Sequence, residues 1–434
     1  MTIMKKNVNI FLGKKILIYG LGKSGISSYK FLKKKSKVYL FDDNLINSFQ
    51  LNKKQINFRE ITNIKFDKII ISPGIDIFNC RLSKFLVKNL SKIYTDLDVF
   101  CSFYKNDSIT ITGTNGKSTT AKILYDVLRD QKRDVRLIGN IGNPALSEKK
   151  ITKKTIFVIE ASSYQLEYSQ IFNSKYAIIL NISPDHIERH KNLKNYINAK
   201  FKLIDAQTEK NFAYVNKNDK YISKKIKSKR FKSKIIKVNT KKNYNLFSNI
   251  TNSYFFTDTN KENLSFVIEI SKKFKLKKNL LVKTIQNFKG LKYRQQIIYK
   301  NKNLKIINDS KSTSFSSSIG ILKSNSNILW LIGGVNKKGD RLDLKKKDFK
   351  NVRAFVFGKN IKFFNKQLKN KVEYTNFNNL NGALKNIFEI IKKEKLRQNT
   401  ILFSPCAASF DSFKNFEDRG FYFNQLIKRY LNGK

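Results

Sequence analysis

Short apolar runs, several of them closed by glycine, proline or paired acids and followed by a stretch of helical spacing, recur along the chain. Lys15–Tyr19 is apolar and stops at Gly20, and Ser24 to Leu32 has helical character. Lys37–Phe41 ends at Asp42-Asp43, and Lys68–Ile71 is stopped by Ser72-Pro73-Gly74. A second series opens at Ser108–Ile111, passes a Gly-rich loop into a helix Thr119 to Leu128, and continues with strands Thr155–Ile159 and Tyr176–Leu180. A third comprises Asn303–Ile307, Ile328–Ile332, Ala354–Phe357 and Thr400–Phe403. Strands alternating with helices predict an α/β fold built on parallel, doubly wound sheets. New strand series begin near 96 and 300, and these are the expected domain boundaries. The lysine-rich stretch Lys217 to Lys242 is read as a solvated surface excursion.

A chain of 434 residues has room for about three domains. Hydrophobic residues make up 41% and aromatics 13%, which excludes wholesale disorder. Lys and Arg total 87 against 32 Asp and Glu, a net charge of +55. Such a balance raises the question of a nucleic-acid or anionic-membrane partner. Lys far exceeds Arg, however, and Asn, Ile, Phe and Tyr are also abundant. All have AT-rich codons, so codon bias on the surface of an enzyme accounts for the skew equally well. The three cysteines, Cys80, Cys101 and Cys406, form no CxxC pair, which argues against a disulfide framework or zinc knuckle. Met1 to Lys15 carries no apolar stretch of signal-peptide length, and no apolar run approaches the roughly 18 residues that span a bilayer. The expectation is a cytoplasmic protein with no membrane span.

Gly20-Leu-Gly22-Lys23-Ser24-Gly25 is a GxGxxG at a strand-to-helix turn, with Asp42 after the next strand. Glycines let a backbone approach a phosphate, and the helix start supplies N–H donors. A dinucleotide, another nucleotide diphosphate, or a tight turn with no ligand all satisfy this pattern. Thr112-Gly113-Thr114-Asn115-Gly116-Lys117-Ser118-Thr119 is a stronger phosphate-loop signal, because it follows a strand and opens a helix. Ile111 stands where GxxxxGK[ST] has its first glycine. Lys117 would reach the β- and γ-oxygens and Ser118 would sit near Mg2+. Glu160, at the end of the next strand, is placed to coordinate that ion. The only histidines, His186 and His190, lie four apart, which suggests one helical face; Ile187 rules out the zinc motif HExxH. By composition Lys200 is one more surface lysine. Ser404 to Gly420 is a small-residue turn able to open a helix and bind an anion, and Cys406 has no sequence-evident base.

Taken together these motifs resemble the Mur ligase family of peptidoglycan synthesis along nearly the whole chain. The phosphate loop, Glu160 to Leu166, Asn181 to His190, Tyr196 to Lys200 and Phe288 to Arg294 match in order and spacing. Asn308 to Thr313 and Ser404 to Gly420 point to the D-glutamate-adding branch. The resemblance implies three α/β domains. A Rossmann-like N-terminal domain (1–96) would hold a UDP sugar, a central P-loop ATPase-type domain (97–300) ATP, and a Rossmann-like C-terminal domain (301–434) D-glutamate. It implies the substrates UDP-N-acetylmuramoyl-L-alanine, D-glutamate and ATP, with two Mg2+ ions, no nucleic acid, and a monomer.

The resemblance also assigns residues. Lys117, Glu160, His186 and Lys200 become catalytic; Ser118, Glu160, His186 and Lys200, the last as a carbamate, become metal ligands. ATP falls to Gly113, Thr114, Asn115, Gly116, Lys117, Ser118, Thr119, Asn260, Asn263, Arg294 and Asp309. The UDP sugar falls to Gly22, Lys23, Ser24, Asp42, Asp43, Ser72, Gly74 and Asn140. D-Glutamate falls to Lys311, Thr313, Lys337, Ser409, Phe410 and Phe416. The chain departs from the family pattern at Tyr293, at Ser312-Thr-Ser314 and at Val335-Asn336. The rivals are a P-loop protein acting on nucleic acid, a dehydrogenase read from GxGxxG alone, and another amide ligase of the superfamily: folylpolyglutamate synthetase or the L-alanine-adding ligase.

Overall fold

Parallel strands covered on both faces need continuous apolar sequence, and the chain supplies three sets of them. The structure, a computed structural model, describes residues 9–44, 51, 54–241, 249–337, 339–349, 351–394 and 398–432. The first set is β1 (Lys15–Tyr19), β2 (Lys37–Phe41), β3 (Lys68–Ile71) and β4 (Ile93–Tyr94), all parallel in the order β2-β1-β3-β4. Ile16 to Tyr19 are all buried. Alternate residues serve opposite faces: Leu17, Tyr19, Ile69 and Ile71 pack in one cluster, Ile16, Ile18 and Ile70 in another.

The second set is β5 (Ser108–Thr112), β6 (Val135–Gly139), β7 (Ile156–Glu160), β8 (Tyr176–Ile179), β9 (Phe212–Asn216) and β10 (Lys234–Val238). All are parallel, in the order β10-β9-β8-β5-β7-β6. The third is β11 (Gln296–Lys300), β12 (Leu304–Asn308), β13 (Ile328–Gly333), β14 (Val352–Phe357), β15 (Glu373–Phe377) and β16 (Asn399–Phe403). Its order is β11-β12-β16-β13-β14-β15, parallel except for β11. The third sheet thus takes in a strand a few residues before 301. The chain divides into two compact units, Met1–Ile182 with Arg189–Lys242 and Ser265–Leu281, and Ser183–Glu188 with Asn243–Leu264 and Val282–Lys434.

One sequence expectation fails here. The stretch from Lys217 is not a solvated excursion: it forms a helix, Lys220–Ser228, that buries Ile222, and then β10, paired along its whole length with β9. Lys242 lies outside the described residues. Lys234 and Lys237 of this edge strand stay solvated and blunt the edge while Ile235 packs and Val238 is buried, so the charge hides the strand. Of the other strands outside the expectation, β4 has two residues and β6, β11 and β15 carry polar or charged ones, whereas β9, Phe-Ala-Tyr-Val-Asn, is an apolar run that the reading passed over.

Two buried carboxylates tie segments together. Asp98 Oδ2 accepts from Thr95 N (2.8 Å) and Oγ1 (3.1 Å). Its Oδ1 accepts from Ser169 Oγ (2.8 Å) and the N–H groups of Gln170, Ile171 and Phe172. Asp309, just after β12, accepts from Gln295 N (3.0 Å) and Ser404 Oγ (2.9 Å). Burial pushes the Asp309 carboxyl up to about 7, against the pull of those hydrogen bonds.

Asp98→Ala strands several buried donors, and a loss on the order of 3–5 kcal/mol is expected in urea unfolding. Asp309 keeps its proton to about pH 7 when folded and releases it near pH 4 when unfolded. The folded chain therefore binds more protons in that window, and this group's contribution to stability falls as pH rises through it. Asp309→Asn removes the effect. Between about pH 4 and 7 the wild type should lose on the order of a few kcal/mol relative to the variant, read from their denaturation midpoints at both ends.

Candidate active site

In the second sheet the chain runs outward from β5 to β7 on one side and β8 on the other, so the end of β5 is a switch point where a crevice opens. Gly113 to Gly116 lies there and leads into the helix Lys117–Asp130. Gly116 has φ +84°, the left-handed region that glycine takes without strain. Asn181, just after β8, braces the loop: Thr114 N donates to its carbonyl (2.9 Å) and Asn115 N to its Oδ1 (2.8 Å). Lys117 folds back, its Nζ donating to the Gly113 (2.9 Å) and Thr114 (2.7 Å) carbonyls.

Beside the loop sits Glu160, 1% exposed. Ser118 Oγ donates to its Oε2 (2.6 Å) and Asn140 Nδ2 to its Oε1 (2.9 Å). Ser118, Glu160 and Asn140, assigned from three separate motifs, therefore form one hydrogen-bonded set. Asn140, expected among UDP-sugar contacts, is part of it. Thr119 is buried in the first helical turn. The set offers hydroxyl and carboxylate oxygens. Among the described residues no group of three or more His, Cys, Asp or Glu converges. Such a donor set fits Mg2+, which takes one or two protein oxygens and completes its shell with phosphate and water.

Lys200 is not on the surface. It is 1% exposed on the helix Leu193–Asp205, its Nζ donates to the Gly113 carbonyl (2.8 Å), and it lies 4.5 Å from the Tyr196 ring. Tyr196, one turn earlier, pairs its hydroxyl with Thr114 Oγ1 (3.0 Å). The i, i+4 spacing was a readable signal for that face, and sequence reasoning missed Tyr196. The two histidines do not share a helical face. His186 has φ +55° ahead of the short helix Ile187–His190 and is a third exposed, while His190 is buried with Nε2 3.0 Å from Ser163 Oγ.

The GxGxxG turn follows β1, the switch point of the first sheet. A Cβ on Gly25 would lie 1.9 Å from the Gly20 carbonyl, so the helix Lys23–Leu32 packs close only with glycine there. Gly22, its N-cap, and Lys23 are exposed, and Ser24 is half-buried. Asp42 accepts from Leu21 N (2.5 Å), Asp43 from the Tyr19 hydroxyl (2.5 Å), and Ser72 Oγ donates to the Gly20 carbonyl (2.6 Å). Gly74, in the same turn as Ser72, is exposed. Ser24 and Gln165 both hydrogen-bond the buried Asp96 carboxylate, whose proton affinity burial raises.

In the other unit β12, β16 and β13 are neighbours, and their C-terminal ends deliver three loops together. Asp309, Lys311 and Thr313 follow β12, Lys337 follows β13, and Ser409 and Phe410 follow β16. Val335 and Ala408 exchange backbone hydrogen bonds (both 2.9 Å), joining the last two loops. Lys311 Nζ lies 3.9 Å and the Arg294 guanidinium 5.9 Å from the Phe416 ring. Ser409 is buried, whereas Phe410 is 74% exposed. Lys337 Nζ pairs with Asp185 Oδ1 (2.6 Å), and Asp340 lies nearby with its carboxyl raised by burial to about 6. Asp185 and Asp340 carried no sequence signal of their own. Asn260 and Asn263 are buried, Asn260 Nδ2 reaching the Tyr254 carbonyl (2.7 Å) and Gln295 Oε1 (3.3 Å). The Ser404 to Gly420 segment does open a helix, but only at Phe416, with Glu417 and Asp418 in its first turn. Cys406 is buried against Ser318 Oγ (3.0 Å), and burial pushes its thiol up, in keeping with a structural role.

Residues 111–284 match the model of the Mur ligase middle domain. The chain is 32% identical over 451 residues to the UDP-N-acetylmuramoylalanine–D-glutamate ligase of Rickettsia felis, covering 98% of this chain and 99% of that one. It is 34% identical to the ligase of the same name from Buchnera aphidicola subsp. Schizaphis graminum, over 96% and 98%. Among solved structures, MurF ligase from Thermotoga maritima in complex with ADP superposes with a TM-score of 0.59 at 13% identity, over 98% of this chain and 99% of that one. The UDP-N-acetylmuramate–alanine ligase of Thermotoga maritima gives 0.56 at 17%, over 97% and 100%. These two share the multidomain α/β fold. The chain belongs to the Mur ligase family, among its UDP-N-acetylmuramoylalanine–D-glutamate ligases.

Proposed function

We propose that the chain adds D-glutamate to UDP-N-acetylmuramoyl-L-alanine, converting ATP to ADP and phosphate, as a cytoplasmic monomer. The observation that carries the reading is the Ser118–Glu160–Asn140 set beside a braced phosphate loop. A carboxylate is a poor acyl donor. Transfer of the γ-phosphoryl group to the alanyl carboxylate gives an acyl phosphate; the D-glutamate amine adds to form a tetrahedral intermediate, which collapses to amide and phosphate. The protein's work is positioning and charge neutralisation.

Lys117 turns from the loop carbonyls to the β- and γ-oxygens, and the amides from Gly116 to Thr119 cradle the phosphates, while those of Thr114 and Asn115 stay on Asn181 and hold the loop, with Gly113, in shape. Glu160 and Ser118 hold one Mg2+; His186 and Lys200, the latter as a carbamate, hold a second. Bound Mg2+ supplies neutralisation of the phosphate charge. A carbamate suits Lys200 because an ammonium repels the ion, and its Nζ already stands against the loop at the Gly113 carbonyl. Asn260, Asn263, Arg294 and Asp309 complete the ATP site. Gly22, Lys23, Ser24, Asp42, Asp43, Ser72, Gly74 and Asn140 receive the UDP sugar. Lys311 and Lys337 pair with the D-glutamate carboxylates, and Thr313, Ser409, Phe410 and Phe416 shape the pocket. In this reading residues 1–96 supply the UDP-sugar contacts except Asn140, 97–300 the ATP contacts except Asp309, and 301–434 the D-glutamate contacts.

Phosphate release from ATP in the presence of UDP-N-acetylmuramoyl-L-alanine should depend on D-glutamate. Release no greater with D-glutamate than with L-alanine or L-glutamate would overturn the specificity. Lys200→Ala should abolish ligation and regain part of it with added short carboxylates; turnover like the wild type's would refute the carbamate.

A further inference from the structure

Arg189 belongs to none of the assigned sites, yet its side chain is only 9% exposed. Its Nη2 donates to the Ile75 carbonyl, and its Nη1 lies 3.4 Å from Asp76 Oδ2. The guanidinium carbon stands 5.2 Å from the Tyr164 ring and 5.9 Å from that of Tyr168. We propose that Arg189 is a positioning residue for the sugar nucleotide, clamping the Ser72–Asp76 turn onto the short helix that follows Glu160. The inference rests on the proposed function, in which Ser72 and Gly74 receive the UDP sugar.

Both jaws of the clamp are fixed. On one side Ile75 N donates to the Ser72 carbonyl (3.0 Å), and Ser72 Oγ holds the Gly20 carbonyl. A Cβ on Gly20 would lie 2.7 Å from Ser72 Cβ and 3.0 Å from Ile75 Cγ1, so the turn lies directly on the glycine loop. Asp76 is held by Phe78 N (3.0 Å) and Asn79 Nδ2 (3.1 Å). Burial works to raise its carboxyl, but these bonds and the Arg189 charge outweigh burial and keep it below the usual range. On the other side Tyr164 belongs to the helix Ser163–Glu167, two residues beyond Ser162 and four beyond Glu160. It stacks on His190 (centroids 5.5 Å apart, planes at 25°), and His190 contacts Tyr196, whose hydroxyl meets Thr114 of the phosphate loop.

A shift of Ile75 therefore carries the glycine loop with it, while the tyrosine wall stays tied to the nucleotide loop. Arginine suits the place because one group with several N–H donors serves a carbonyl and a carboxylate while lying over aromatic rings, which a lysine ammonium does less well.

The test is equilibrium binding of UDP-N-acetylmuramoyl-L-alanine and, separately, of ATP to the full chain by calorimetry, with KM and kcat for both. Arg189→Ala should weaken the sugar nucleotide by about tenfold or more and raise its KM, with ATP affinity and kcat within about twofold of the wild type. Arg189→Lys keeps the charge opposite Asp76, folds on that account, and should fall between. Sugar-nucleotide affinity unchanged in either folded variant, or equal losses for both ligands, would overturn the clamp. A wild-type chain that bound ATP but no sugar nucleotide would instead overturn the proposed function, and the clamp with it.

Discussion

A carboxylate taken out of water costs several kcal/mol unless hydrogen bonds or a cation meet its oxygens, and Glu160 is such a group. Its two oxygens are met by Ser118 and Asn140, which come from the helix after β5 and the loop after β6. That requirement fixes the mutual placement of three strand ends. It also sets where the phosphate loop starts its helix, and it leaves an acidic oxygen beside the loop, where a phosphate-bound cation belongs. Lys200 and Tyr196 then close on the loop from the helix Leu193–Asp205.

Acids are scarce in this chain, 32 against 87 basic residues, and several of them organise loops and buried segments. Asp42 and Asp43 hold the glycine turn, Asp98 gathers the segments around it, and Asp309 and Asp340 sit in the loops after β12 and β13. Lysines sit at the solvent face even on the edge strand β10, at Lys234 and Lys237. A surface of that sign suits substrates that are themselves polyanions, whose capture a positive field speeds. The +55 is thus compatible with small anionic ligands and requires no nucleic acid.

Where chemistry demands particular residue types at consecutive positions, the sequence was legible. Gly113 to Ser118 follow a strand and open a helix, and Glu160 ends the next-door strand, as the phosphate-loop reading expects, because the loop geometry is local and the strand before it, Ser108–Thr112, is buried along its whole length. Legibility failed where burial is decided by distant packing. Lys200 reads as surface by composition, and only tertiary contact with the Gly113 carbonyl places it inside. The histidine pair reads as one helical face, but the left-handed backbone at His186 breaks the periodicity. Arg189 lies in the matched Asn181 to His190 segment yet gained no role there, since its partners Ile75, Asp76, Tyr164 and Tyr168 come from segments remote in sequence.

The central claim is that Glu160 and Ser118 form the protein's share of a Mg2+–nucleotide site. The direct measurement is ATP affinity with and without Mg2+ in the wild type and in Glu160→Gln, which keeps the side chain's shape and removes its charge. The account predicts that Mg2+ strengthens ATP binding to the wild type, and that the variant loses most of that gain while binding metal-free ATP at least as well. An equal gain from Mg2+ in both proteins would contradict it.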